Sequence, residues 1–143
     1  MTTQISVSRR SIQVLRFMLS GIFLIASSGH LLNVEQTANR IDQANFKGIA
    51  YTFGNPELLV VLSGIAMLIG GLSLLIGFKT KWAAILLLAV LIPITLTIQV
   101  GQMNTLGPLF KNIVIMGGLI FFIMNDFETN KETAQQELNL KIK

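Results

Sequence analysis

The chain has 143 residues, of which 52% are hydrophobic and 13% charged, with a formal net charge of +4 and a mean hydropathy of +0.65. Soluble domains carry roughly 25% charged residues, so this balance specifies a membrane protein and leaves little chain for a soluble catalytic domain. With no cysteine and a single histidine, the chain alone builds no disulfide, iron–sulfur cluster, two-histidine haem or multi-ligand zinc site, so no bound metal or haem is expected.

In chain order, residues 1–10 are a polar segment ending in Arg9-Arg10. Residues 11–32 are the first candidate span, long enough at about 1.5 Å per residue to cross a bilayer. A cleaved signal peptide would also have a basic start, an apolar stretch and a small-residue site such as Ala26-Ser27-Ser28. Arg16 inside the apolar stretch argues for a retained helix instead. Residues 33–55 break the hydropathy with Glu35, Arg40, Asp42 and Lys47. Val34, Ala38, Ile41 and Ala44 recur there at helical spacing, which predicts a short amphipathic helix at the membrane surface. Tyr51 and Phe53 suit an interfacial position.

Asn55-Pro56-Glu57 reads as a helix start: a capping residue, a proline at the first position and an acid in the first turn. The second span covers 56–78, with Gly64 and Gly71, and Gly70 and Gly77, each seven residues apart and so on shared faces. Small residues at that spacing let helices approach closely in lipid. After Lys79-Thr80-Lys81 comes the third span, 82–100, opening on Trp82 and containing Pro93. Thr95 or a neighbouring helix is expected to satisfy the carbonyl that this proline frees. The fourth span, 108–125, is apolar apart from Lys111, Asn112 and Gly117-Gly118. A mixed-charge tail follows over 126–143.

The fold class expected is therefore all-α: an integral membrane four-helix bundle with a short amphipathic helix in the first outer loop. Its spanning domain covers 11–125, between an N-terminal segment at 1–10 and a C-terminal tail at 126–143. Four spans put both termini on one side, with Arg9, Arg10, Lys79, Lys81 and the tail lysines; the opposite loops hold Arg40 and Lys47. That bias places both termini in the cytoplasm and the protein in the cytoplasmic (inner) membrane. The lipid bilayer is the expected environment, and no nucleic-acid motif accompanies the positive charge.

This topology gathers polar residues at the outer ends of the spans. His30 ends the first and Glu57 begins the second; Gln99 and Gln102 end the third, and Lys111 and Asn112 begin the fourth. Thr95, Gln99 and Gln102 follow steps of four and three and share a face. Charges at this depth are expected to face the bundle interior and pair, which makes Glu57 with Lys111 the first pair to examine. The plainer alternative is helix-end polarity, with Glu57 complementing a helix dipole and Lys111 snorkelling to the headgroups. Arg16, on the inner side, is read as a snorkelling or helix-pinning residue within reach of Asp126.

With these residues in view, the chain resembles the DoxX family of small four-helix membrane proteins. Arg16 lies early in the first helix, and Ser28-Gly29-His30-Leu31-Leu32 closes it. Asn55-Pro56-Glu57 opens the second, which ends in Leu68-Ile-Gly-Gly-Leu-Ser-Leu-Leu-Ile-Gly-Phe78. Phe110-Lys111-Asn112 followed by Gly117-Gly118 marks the fourth. The resemblance implies a bundle in the cytoplasmic membrane and association with redox partners, the family name coming from a subunit of an archaeal thiosulfate:quinone oxidoreductase. Relatives that carry a histidine late in the third helix differ from this chain, where Gln99 stands.

Three functions remain open. One is an accessory membrane subunit of a quinone-linked redox complex, with His30, Glu57, Gln99, Gln102, Lys111 and Asn112 as hydrogen-bond partners for a quinone or small anion. A second is a small-solute or anion transporter, whose inner path would have to use Arg16, Ser20, Ser27, Ser63 and Ser73. A third is a structural assembly partner, with a redox protein or a second copy docked on the glycine faces. An independent enzyme is the least supported, because no nucleophile–base–orienter set, metal-ligand cluster or phosphate loop is present.

Overall fold

Four apolar runs become four long helices in a computed structural model that describes residues 7–52, 54–101 and 103–125. The elements are α1 (Arg9–Leu32), α2 (Val34–Asp42), α3 (Lys47–Thr52), α4 (Pro56–Ile76), α5 (Thr80–Ile98) and α6 (Leu106–Met124), with a 3₁₀ turn at Met103–Thr105 before α6. No strand occurs among the described residues. The C-terminal tail, Asp126, Gln102 and Phe53 lie outside them.

Helices α1, α4, α5 and α6 are each long and apolar enough to cross a membrane. Around the bundle α1 packs on α4, α4 on α5 and α5 on α6, and a thin seam returns from α6 to α1. Helices α4 and α6 therefore stand diagonally. One side chain or more from each spanning helix meets on the axis: Phe23, Leu74, Leu87, Leu119 and Phe122 are fully buried and close the inner half of the bundle. The outward faces, including Phe17, Ile25, Ile76 and Val114, remain exposed and apolar, as surfaces against acyl chains should be.

Glycine spacing sets the tightest seam. A Cβ on Gly64 would lie 2.9 Å from Leu31, and one on Gly71 would lie 3.3 Å from Leu24. The α1 partners are seven residues apart, as the two glycines are, so α1 and α4 run antiparallel in one fixed register. In lipid this close approach supplies the van der Waals contact that drives helix association. Gly70 looks the other way, toward Leu87 of α5, and Gly118 of α6 receives Leu19 of α1.

Local chemistry fixes the helix ends. Asn55 caps α4, its Oδ1 accepting from the Glu57 N–H at 3.0 Å, with Pro56 at the first position. At the other end Gly77 adopts φ +84°, and both its N–H and that of Phe78 donate to the Ser73 carbonyl at 3.0 Å. The Ser73 hydroxyl donates onward to the Phe78 carbonyl at 2.6 Å. Arg16 of α1 completes this end: its Nε donates to the Leu74 carbonyl and its Nη2 to the Leu75 carbonyl, each at 3.0 Å. These are among the carbonyls that a helix C-terminus leaves without intrahelical donors, and a cation there also complements the helix dipole.

The first outer loop carries more helix than its spacing indicated, because α3 adds a short turn after α2. Ala38 and Ile41 of α2 and Ala50 of α3 bury their side chains against Val60 of α4, with Leu59 and Ile98 packed alongside. The amphipathic segment thus lays its apolar face on the bundle's own helices. Asn45 then ties the loop to the far side of the bundle, Nδ2 donating to the Gly101 carbonyl at 3.0 Å.

Two substitutions test the inner clamp. Gly77→Ala imposes a left-handed conformation on a residue with a Cβ and intrudes on the Arg16 guanidinium, and should cost about 1–2 kcal/mol. Arg16→Met leaves two end carbonyls without these donors and should cost about 2–3 kcal/mol, with Arg16→Lys recovering part of it. Thermal unfolding in detergent micelles measures both; melting temperatures equal to wild type would remove the clamp's structural role.

Candidate functional site

The outer half of the bundle holds a cavity of about 360 Å³. It lies between α4 and α5 with α2 and α3 above it and the end of α1 at its back, so its walls come from five elements. Leu59, Leu62 and Ala66 of α4 face Val90, Ile94 and Ile98 of α5 across it. Leu62 and Ala89 are exposed, which opens the cavity sideways between α4 and α5, toward the acyl chains. The walls are aliphatic almost throughout, and His30, Thr37, Ser63 and Thr97 are the polar residues that line it.

Pro93 shapes this wall. It has no N–H for the carbonyl of Ala89, four residues earlier, and both residues line the cavity. Thr95 does not serve that carbonyl: its hydroxyl donates to the Leu91 carbonyl at 2.7 Å. At the back, Nδ1 of His30 lies 2.9 Å from Oγ of Ser63, whose hydroxyl donates to the Val60 carbonyl at 2.9 Å. The roof is held by Tyr51 of α3, whose hydroxyl donates to an Asp42 carboxylate oxygen of α2 at 2.5 Å. That hydrogen bond, chiefly, holds the Tyr51 hydroxyl above the usual phenol range.

The residues grouped by depth in the sequence separate once helix rotation is known. Of the five that lie among the described residues, only His30 lines the cavity. Asn112 is buried on the α5 side of α6, its Nδ2 donating to the Thr95 Oγ1 at 2.8 Å. Gln99 Oε1 is buried and has no hydrogen-bond partner among the described residues, while the Gln99 backbone carbonyl accepts from the Thr105 hydroxyl at 2.7 Å. Glu57 and Lys111 are both exposed. They stand on the diagonal helices α4 and α6, which do not touch, and no ion pair joins them. Gln102 lies outside the described residues.

Ser63 is the residue that depth alone misplaced. Counted with the inner polar residues, it instead pairs with His30 in the outer half. The signal that finds it is its position two helical turns below Pro56 and next to Gly64, whose Cβ would meet His30. The other three serines give no inner path. Ser20 and Ser27 turn back to the carbonyls of Phe17 and Leu24, and Ser73 closes the end of its own helix at Phe78. Arg16 reaches the end of α4, as described above.

Four apolar spanning helices with lipid-facing flanks define a multi-pass helical membrane protein. Its family is also identified: the DoxX family profile matches residues 11–100, more than half of the chain, and the protein belongs to that family. The matched stretch stops before α6, so Phe110-Lys111-Asn112 and Gly117-Gly118 lie beyond it. Comparison with curated proteins and with solved structures finds no match.

The Asn112–Thr95 link is measurable by a double-mutant cycle of Asn112→Ala and Thr95→Ala. Inter-helix hydrogen bonds in lipid couple by about 0.6 kcal/mol and rarely beyond about 2 kcal/mol, and a value in that range is expected here. Lys111→Ala, one residue away and exposed, should change stability by less than about 0.5 kcal/mol. A larger loss from Lys111→Ala than from Asn112→Ala would reverse this assignment.

Proposed function

We propose that the protein is an accessory membrane subunit that holds a small lipid-soluble redox molecule, of the quinone class, in the cavity beneath α2 and α3. The observation that carries this reading is the cavity itself: about 360 Å³, aliphatic on most sides, open toward the acyl chains and ending in a histidine–serine pair. Such sites take ligands whose bulk is apolar and whose few polar atoms set the orientation. The redox setting is taken from the resemblance drawn in the sequence, the DoxX family name coming from a subunit of a quinone-linked oxidoreductase. In that setting the electrons are handed to or taken from a partner protein, and a second copy of the chain is the other candidate neighbour.

The basic residues at the inner ends favour cytoplasmic termini in the cytoplasmic membrane. The cavity then sits in the outer leaflet. A transporter reading has less to stand on, because Phe23, Leu74, Leu87, Leu119 and Phe122 plug the inner half. A purely structural partner would have no use for a histidine at the end of an apolar cavity.

Extraction with native lipids followed by quantitation of co-purifying quinone tests the proposal. Wild type should carry quinone well above its ratio in the bulk lipid, and Ala66→Phe, which fills the cavity, should lose it without a lower melting temperature. Quinone at the bulk ratio in wild type would overturn the reading.

A further inference from the structure

The hydrogen-bond polarity of the cavity narrows what it can hold, given the ligand site proposed above. Ser63 has one hydroxyl proton and two acceptors in reach, the Val60 carbonyl and the His30 Nδ1, each at 2.9 Å. With that proton on the carbonyl, the usual back-bond of a helical serine, Oγ accepts from His30 and the ring proton is on Nδ1. In a neutral imidazole the other nitrogen is then a bare lone pair. Nδ1 is the ring nitrogen that meets Ser63 and the residue lines the cavity, which leaves Nε2 as the nitrogen for a ligand.

We infer that the cavity selects apolar ligands by a hydrogen-bond donor: a hydroxyl on an aromatic ring or an isoprenoid or fatty chain, in preference to the matching carbonyl or ether. For a quinone couple this means the reduced, dihydroxy form is the one held. An acceptor left unmatched in an apolar cavity costs free energy, so a ligand that offers only acceptors is penalised at His30.

The single histidine makes the test specific. Tag-free protein with nitrogen-labelled histidine, in lipid nanodiscs, reports the two ring nitrogens of His30 directly. Without ligand, Nδ1 should be the protonated nitrogen. Para-heptylphenol should then shift the Nε2 resonance saturably and bind roughly tenfold more tightly than its methyl ether, the yield of about one good hydrogen bond. A fatty alcohol and its methyl ether form a second pair; the pair with the larger gap tells a ring hydroxyl from a chain hydroxyl. Ser63→Ala, which keeps the histidine but removes the acceptor on Nδ1, should admit the other tautomer and narrow the gap. His30→Phe should abolish it. A proton on Nε2 in the free protein, or equal affinity within both pairs, overturns the donor rule and leaves the cavity as a ligand site. Absence of saturable binding by every probe overturns both.

Discussion

The register between α1 and α4 is the constraint on which the remainder of the protein depends. Gly64 and Gly71 bring the two backbones together, and a bare groove of this kind could in principle slide by a turn. Arg16 prevents it. Its guanidinium reaches the carbonyls of Leu74 and Leu75 only when α1 stands at one height against α4, and Gly77 leaves the space in which it sits. At that height His30, two turns beyond Phe23, arrives opposite Ser63. A charge at the inner end thus sets the partner of a neutral ring at the outer end, through two helices that cannot shift independently.

The cavity follows from the same register together with one irregularity. Between α4 and α5 the contact is close at the inner end, where Gly70 admits Leu87. Farther out Pro93 interrupts the ladder of α5, and small residues such as Ala66 and Ala89 face the gap. The helices therefore leave space that their own side chains do not fill. The outer loop covers it because α2 and α3 have an apolar side that a water-facing loop could not leave bare; Val60 and Ile98 receive it. Packing and ligand space are parts of one arrangement.

Much of this could be read in the sequence, and the remainder fails to show for a definable reason. Span number and the pairing of Gly64 with Gly71 on one face of α4 follow from run length and from seven-residue spacing, which are one-dimensional properties, whereas the choice of α1 as their neighbour is not. The helix start at Asn55 needs only its own three residues. A sequence also bounds the position of a residue along a span, and by that measure His30, Glu57, Lys111 and Asn112 all belong to helix ends on one side. Rotation is another matter. Successive residues are about 100° apart around a helix, and Lys111 and Asn112 accordingly point to solvent and to α5. In an apolar helix no polar stripe marks which side faces the neighbours, so the cavity and the Ser63 partner of His30 emerge only from the packing. The turn of α3 is too short for any periodicity to announce it.

The two ends of the bundle respond differently to their surroundings. At the inner end Arg16 is held by peptide carbonyls, which do not titrate. Acid that would neutralise a carboxylate partner leaves this contact unaltered, and the depth of the site limits screening by salt. The roof over the cavity is joined instead by Tyr51 and Asp42, two ionisable groups at the exposed surface. The protein thus has a foundation indifferent to the chemistry of the bulk phase and a cover that is exposed to it, so a change in the aqueous phase at that end meets the roof of the cavity first and not the helices that form its walls.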